Sequence, residues 1–390
     1  MIKTISRILL GASLLSIQSI SNCQKLPVLK LEDAYKIQEP INSKEFIGSA
    51  KYIPLETSPN CLIGANPKIY LTEKNFIITD NKNHCFLFDR FTGKFIREIG
   101  HYGKDPGGFR SNKGFFNEMT SSLFFTGWKD DLLKYSLDGK YLGTVIIPHY
   151  NSDFADTYLP DRFDYLDNNL IVCNIMNTNG LQKTLLLVFD ENGKEIKTVP
   201  NRKPLKEHNL SISVGDVKYF HYKNKLCFNE YCNDTIFTIS STNVEPYLIM
   251  DRGKLIPTSE NRATGNYIIQ TFSFFESDKF FLITLWIRGS NYNLAFYNKS
   301  TSKLKVCNFA TGFRNNTDEF VPFLPAAIYN DELVGIIQQQ DITLWAEKNN
   351  AVRDKLPKEL KELTIKDPTD NPTIVIAEFN GDSITKPSKQ

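Results

Sequence analysis

The histidines and the aromatic and arginine side chains are the residues of this chain that could do chemistry. Five histidines, His84, His101, His149, His208 and His221, are scattered through it. A metal-dependent lyase or hydrolase needs two or three imidazoles converging with a carboxylate. His101, His149 and His208, with Asp105 or Asp153, are the set that would serve if their loops met at one end of the fold. No Cys-x-x-Cys occurs and no His or Cys stands at zinc-ligand spacing, so neither a structural metal nor any other cofactor is expected. For binding, Tyr102, Arg110, Trp128, Tyr150, Arg288, Tyr292 and Arg314 are the candidate anchors. Trp128 and Tyr292 have flat apolar faces with a polar edge and suit a sugar. Arg288 and Arg314 carry planar forks that match carboxylates and suit an acidic ligand. Taken singly, each of these residues has an ordinary alternative as surface or packing. The glycines of the loop Gly100–Phe109 would expose N–H groups to an anion, but the phosphate-loop pattern and its helix are missing, which favours a tight crossing. Ser300 to Lys303 matches Ser-x-x-Lys inside a hairpin turn, and Asp190, Asn192 and Gly193 match part of a calcium loop without its glutamate, so turn chemistry accounts for both.

Scattered residues make a site only if a scaffold gathers them. Within Asn75–Phe109, three short runs rich in aromatic and β-branched residues, Phe76–Asp80, Cys85–Asp89 and Phe95–Ile99, are separated by turn residues and read as consecutive antiparallel strands. A polar turn followed by lysine recurs at Thr92-Gly93-Lys94, Asp138-Gly139-Lys140, Asn192-Gly193-Lys194 and, more loosely, Thr301-Ser302-Lys303. Asp-Gly and Asn-Gly predict type I′ hairpins, in which both residues take positive φ. The lysines step by about fifty residues, the last step being double with a degenerate turn near Thr242 and Asn243. A unit of that length with four strands and no helix is a β-propeller blade.

Blades fall at 68–99, 115–147, 162–199, 217–250 and 267–309. A sixth is broken: Ala326–Tyr329 and Glu332–Gln338 precede a helical insertion near 345–364, and Thr373–Phe379 follows it. Lys51–Leu55 can supply the missing strand. The predicted fold is therefore all-β, a six-bladed β-propeller with an N-terminal strand closing the last blade and a short helical insertion near the C-terminus, a closure that removes exposed sheet edges. Leu356, Leu360 and Leu363 share one face of the insertion and Pro357 suits a first turn, which predicts a helix packed on the ring. The site belongs at the mouth of the central channel, where the interblade crossings and the loops joining each blade's two middle strands converge.

The N-terminus has the form of a processing segment. Lys3 and Arg7 precede an apolar run, Ile8–Ile20, too short for a spanning helix of ~20 residues but suited to a secretory signal. Ile20-Ser21-Asn22-Cys23 then resembles the lipobox of bacterial lipoproteins, with Asn22 departing from the usual small residue. Cys23 is the expected lipidation site; the alternative is ordinary secretion with Cys23 unmodified. The expected organisation is a signal peptide at 1–22, a lipid-anchored tether at 23–45, the propeller at 46–380 and a tail at 381–390. Of the remaining cysteines, Cys85, Cys173, Cys227 and Cys307 fall in strand runs as small hydrophobes, while Cys227 and Cys232 could bridge a turn. With 41% hydrophobic and 23% charged residues and a net charge of +2, the chain is globular and lacks the basic stripe that nucleic acid requires.

The pieces Tyr52–Thr57 followed by Cys61–Gly64, Leu87–Phe109, Asn233–Ile239 and Asp370–Phe379 resemble the six-bladed β-propeller lipoproteins of Bacteroidota, related in shape to NHL-type propellers. One departure is Gly108, where that family often has an acidic residue. The resemblance covers essentially the whole mature chain and implies a fold and an envelope location, with little chemistry. Asp382-Ser383-Ile384 in the tail also resembles the short O-glycosylation signal used by Bacteroidota. The expected function is a non-catalytic, lipid-anchored propeller, monomeric, binding a glycan, peptide or envelope protein at its channel mouth. Its contact with the membrane would be through the anchor alone, on the periplasmic side rather than the cell surface. The alternatives are a metal-dependent lyase or hydrolase, or a structural scaffold in an envelope assembly.

Overall fold

The computed structural model describes residues 26–148, 160–177, 182–202, 217–258 and 268–380. Six four-stranded antiparallel sheets follow one another around a ring, so the chain is a six-bladed β-propeller. From the innermost strand outward, blade 1 is Lys68–Leu71, Asn75–Thr79, Cys85–Asp89 and Phe95–Glu98, and blade 2 is Ser111–Asn117, Ser122–Thr126, Asp131–Ser136 and Tyr141–Ile146. Blade 3 is Pro160–Tyr165, Leu170–Ile175, Thr184–Asp190 and Glu195–Pro200; blade 4 is Val217–Tyr222, Lys225–Glu230, Thr235–Ile239 and Val244–Asp251. Blade 5 is Ile269–Glu276, Phe280–Ile287, Asn291–Asn298 and Lys303–Asn308. Blade 6 takes Leu324–Tyr329, Glu332–Ile337 and Thr373–Phe379 from the C-terminal part and Ile47–Pro54 as its outermost strand, paired antiparallel from Thr373↔Pro54 to Phe379↔Ile47.

Each blade is covered on both faces by its neighbours, which is why the middle strands are nearly continuous apolar runs such as Leu185–Phe189 and Phe280–Ile283. The core is correspondingly divided into six clusters, one per blade interface. Five of the six described cysteines, Cys61, Cys85, Cys173, Cys227 and Cys307, are buried inside these clusters, and burial pushes the Cys227 thiol up to about 12. Cys227 and Cys232 do not form a disulfide with each other.

The outer hairpin turns differ from expectation in one respect. Only Gly93, Gly139 and Gly193 take positive φ, while Thr92, Asp138 and Asn192 do not. Gly139 N–H donates to Ser136 O and Ser136 N–H to Lys140 O, and the ladder shifts register just beyond, between Lys134 and Tyr135. That is a three-residue loop closed by a glycine bulge rather than a type I′ turn. Ser302 occupies the same left-handed position in blade 5 at φ +53. These turns also set blade against blade. A Cβ on Gly93 would overlap the Pro54 carbonyl of blade 6, and one on Gly193 would press on the Ile146 carbonyl of blade 2. Arg97 of blade 1 donates to Asp138 O in blade 2 at 2.6 Å, and Lys197 of blade 3 to Thr242 O in blade 4 at 2.8 Å.

Residues 26–45, expected as a tether, are instead a belt packed on the outside of the ring. Val28–Lys30 adds a parallel fifth strand to blade 4, and the helix Leu31–Ile37 packs on the outermost strand of blade 5. Ile41–Asn42 then pairs in parallel with Phe313–Arg314. Leu29, Leu31 and Ile41 are fully buried. The segment reads as irregular because each short piece inserts only one or two side chains into the ring. The insertion in blade 6 begins earlier than expected, as helices Gln339–Lys348, Asn350–Arg353 and Lys358–Leu363, and Leu356, Leu360 and Leu363 join Ile342 in the blade 5–6 cluster.

Candidate functional site at the channel mouth

The mouth is built by polar staples that tie each interblade crossing to a middle loop. Asn112 donates to Asp80 O and His84 O at 2.7 and 2.8 Å, and Asn371 to Glu56 O and Cys61 O at 2.6 and 2.7 Å. Arg252, only 1% exposed, bonds Asp234, Tyr231 O and Asn233 O, all at 3.0 Å or less. Buried donors satisfied by loop carbonyls hold otherwise irregular backbone in one conformation.

Inside this frame lies a cavity of about 610 Å³, lined by the innermost strands of blades 1 to 4. Its walls carry Lys68, Lys113, Arg162 and Lys218, with Asp80, Asp161, Asp164 and Tyr219. Asp80 is fully engaged, accepting from Gly64 N–H, Lys82 N–H and His84 N–H and sitting 3.0 Å from His84 Nδ1. Asp161 lies 3.5 Å from Arg162 Nε, and Asp164 is 2.9 Å from Nε2 of His221, whose ring stacks on Tyr165. Four cations against three carboxylates leave the wall positive by one charge. Confinement opposes the charge on Lys68, yet Tyr70, whose ring lies 4.5 Å from Nζ, and the more distant Asp164 outweigh it and raise the lysine above its ordinary value.

Four of the six innermost strands carry β-bulges, in blades 2, 3, 5 and 6, and three of them present a large side chain at the bulge. The register shifts between Ser111 and Gly114 in blade 2, between Asp161 and Asp164 in blade 3 and between Thr271 and Ser273 in blade 5. The residues that protrude are Lys113, Arg162 and Phe272, all exposed. A bulge re-aims a side chain at the cost of local pairing. Arg162 takes φ +52, a left-handed conformation that a non-glycine residue adopts only when its surroundings impose it. In blade 5, Phe272 is 50% exposed and meets Tyr292 edge to face at 5.5 Å, and Trp286 stands opposite Tyr292 in the ladder. Lys218 of blade 4 reaches to 5.7 Å from the Phe272 ring, so the basic wall and the aromatic wall adjoin.

The residues expected from sequence fall into separate places. Tyr102 and Trp128 come together on the blade 1–2 crossing, rings 6.0 Å apart, with Trp128 Nε1–H donating to Gly103 O and Lys104 over the indole. The same loop, Gly100–Phe109, is a closed crossing in which His101 Nε2 lies 2.7 Å from Asp105, whose carboxyl this contact holds below its usual range. Arg110 is exposed just before the blade 2 inner strand, and Arg288 is exposed on the middle loop of blade 5 near Tyr292. Arg314 sits in the short ladder with the N-terminal belt. Tyr150, His149, His208, Asp153, Cys23 and the segment Asp382-Ser383-Ile384 lie outside the described residues. Among the described residues no three His, Cys, Asp or Glu side chains group as metal ligands, and no helix is long and apolar enough to cross a membrane. The sequence reading missed Lys68, Lys113, Arg162, Lys218, Phe272 and Trp286. For all of these but Trp286, which lies on a second strand, the available signal was a charged or aromatic residue near the start of the first strand after a crossing.

Fold and site together define a six-bladed β-propeller with an open, positively charged channel mouth bordered by aromatic rings. The chain belongs to the family described as domain of unknown function DUF4934, whose model matches residues 26–378. It is similar to the crystal structure of a Bacteroides fragilis protein inferred to be exported, with 15% identity, a TM-score of 0.70 and coverage of 92% of this chain and 100% of that one. At that identity the likeness is one of fold. The computationally designed Ika8 protein matches more distantly, with 11% identity, a TM-score of 0.38 and coverage of 74% of this chain and 84% of that one. No curated protein matches the sequence.

Proposed function

We propose that this chain is an exported, lipid-anchored propeller, of the NHL-like shape, that binds a glycan, peptide or envelope-protein partner at its channel mouth without catalysing a reaction. The observation that carries the reading is the cavity whose wall is assembled from side chains of four separate blades, two of its inner strands being bulged where Lys113 and Arg162 line it. Export is supported by the charged and apolar N-terminal run and by the description of the Bacteroides fragilis neighbour, and lipidation by Cys23 directly after that run. The periplasmic side is favoured because Gln24 and Lys25 do not begin an acidic run. The His101–Asp105 pair, exposed on a closed loop, serves as a loop staple in this reading rather than as part of a metal centre.

The test is binding of detergent-solubilised full-length protein to panels of envelope glycans and peptides, repeated on the double variant Lys113→Glu, Arg162→Glu. Binding that the double variant loses supports the reading. Chelator-sensitive turnover of any panel member would replace it with the metal-dependent lyase or hydrolase. A stably co-purifying protein with no small-molecule binding would replace it with the scaffold. Incorporation of an alkynyl fatty acid that is lost in Cys23→Ala tests the anchor.

A further inference from the structure

We infer that the ligand of the channel mouth is an acidic sugar, a pyranose bearing a carboxylate, with its ring against Phe272 and Tyr292 and its carboxylate on Arg162 and Lys218. The inference rests on the binding reading above and narrows it to a chemical class.

Two adjoining surfaces define that class. On one side, Phe272, Trp286 and Tyr292 are 50%, 39% and 38% exposed and form a shallow wall of ring faces and edges. A pyranose has a flat C–H face to lay on such rings and hydroxyls at its edge, which suits rings that remain half in water. On the other side, Arg162 supplies a planar fork and Lys218 a point charge. Lys218 joins the two surfaces, because it lines the cavity while its Nζ stands 5.7 Å from the Phe272 ring. Lys218 thus stands within one ligand residue of the aromatic wall, and Arg162 shares its cavity.

The bulges favour a sugar over a peptide. A peptide added to a sheet edge needs an unbroken row of backbone N–H and C=O groups. In blades 2, 3 and 5 the inner edge is interrupted at the mouth, and what it presents instead is the side chains of Lys113, Arg162 and Phe272.

The experiment is titration calorimetry on the detergent-solubilised full-length protein. The probes are trigalacturonic acid and sialyllactose, their methyl esters, neutral lactose and the anionic aromatic peptide Glu-Phe-Glu. At least one acid sugar should bind about tenfold or more tightly than its ester, the loss expected for one charge-assisted hydrogen bond. Raising the salt concentration should weaken that binding. Phe272→Ala and Arg162→Met should each cost about tenfold or more, while Arg314→Ala changes nothing. Phe272 is half exposed, so its truncation is not expected to disturb folding, and the ester comparison needs no variant at all. Acid and ester forms binding equally, the peptide binding in preference, or no acid sugar binding would each overturn the inference. If a neutral glycan or the peptide binds and is lost in Phe272→Ala, the mouth is still a binding site and only the acidic class is wrong. If those variants leave every bound partner unaffected, the binding reading goes as well.

Discussion

Arg252 shows how single residues fix this ring. Its guanidinium is buried and joins Asp234, Tyr231 O and Asn233 O of blade 4, with a longer contact to Ile269 O of blade 5, so one side chain holds a middle loop and the following strand together. Arg252→Met would leave a carboxylate and several carbonyls without their donor. Removing one partner of a buried, hydrogen-bonded pair costs about 3 kcal/mol or more. Urea unfolding should show that loss, with Arg252→Lys in between; a loss below about 1 kcal/mol would mean that the loop has other support. Asp80 carries a pH dependence of known sign. Burial raises its pKa, but the N–H groups of His84 and Gly64 and the His84 ring outweigh burial and hold the carboxyl below its ordinary value. A depressed carboxylate contributes stability above the unfolded pKa and loses it as pH falls through the folded one. Asp80→Asn should therefore destabilise by about 2 kcal/mol at pH 5–6, and the gap to the natural protein should close below about pH 4. A gap that stayed constant to pH 2 would contradict this.

At the scale of elements, the regular parts of the fold could be read from the sequence and the irregular parts could not. The turns at Gly93, Gly139 and Gly193 gave the repeat length because each takes the left-handed φ that favours glycine, and at Gly93 and Gly193 the preceding blade also approaches too closely for a side chain. The closing strand was legible because Tyr52–Pro54 is apolar and the last blade lacked a partner for Thr373–Phe379. The channel wall was not legible. Lys113, Arg162 and Phe272 face the channel only because one or two extra residues break the alternation of their strands, and that shift is set by pairing with the second strand of the blade. The belt was missed for a related reason, since Leu29, Leu31 and Ile41 are isolated apolar residues with no period. Leu31 is fully buried in the blade 4–5 cluster, so Leu31→Ala should cost about 3 kcal/mol, as a Leu deletion does where the site cannot collapse. By loosening the strip that covers the outer edge of blade 4 it should also promote self-association on heating. A variant with an unchanged melting temperature would return residues 26–45 to the role of a tether.

The whole molecule depends on a pairing between segments more than three hundred residues apart. Ile47–Pro54 is the only strand of blade 6 that comes from the N-terminal side, and the cluster between blades 6 and 1 draws on Ile53 of that strand and Leu55 just after it as well as on Ile374 and Ile376. Arg90 of blade 1 adds an ion pair to Glu332 of blade 6 across the same seam. Without that strand the sheet would end at Thr373–Phe379 with an open edge, and the channel mouth would lose the closed circumference that gathers its side chains. A chain beginning at Glu56 should therefore lose its single sharp unfolding transition, associate through the exposed edge and fail to bind whatever the intact ring binds. A synthetic peptide spanning residues 41–57, added in trans, should restore a cooperative transition by adding itself to that edge. If the shortened chain unfolds with the midpoint and denaturant slope of the full protein, the seam contributes nothing to the ring, because the slope reports the surface that folding buries.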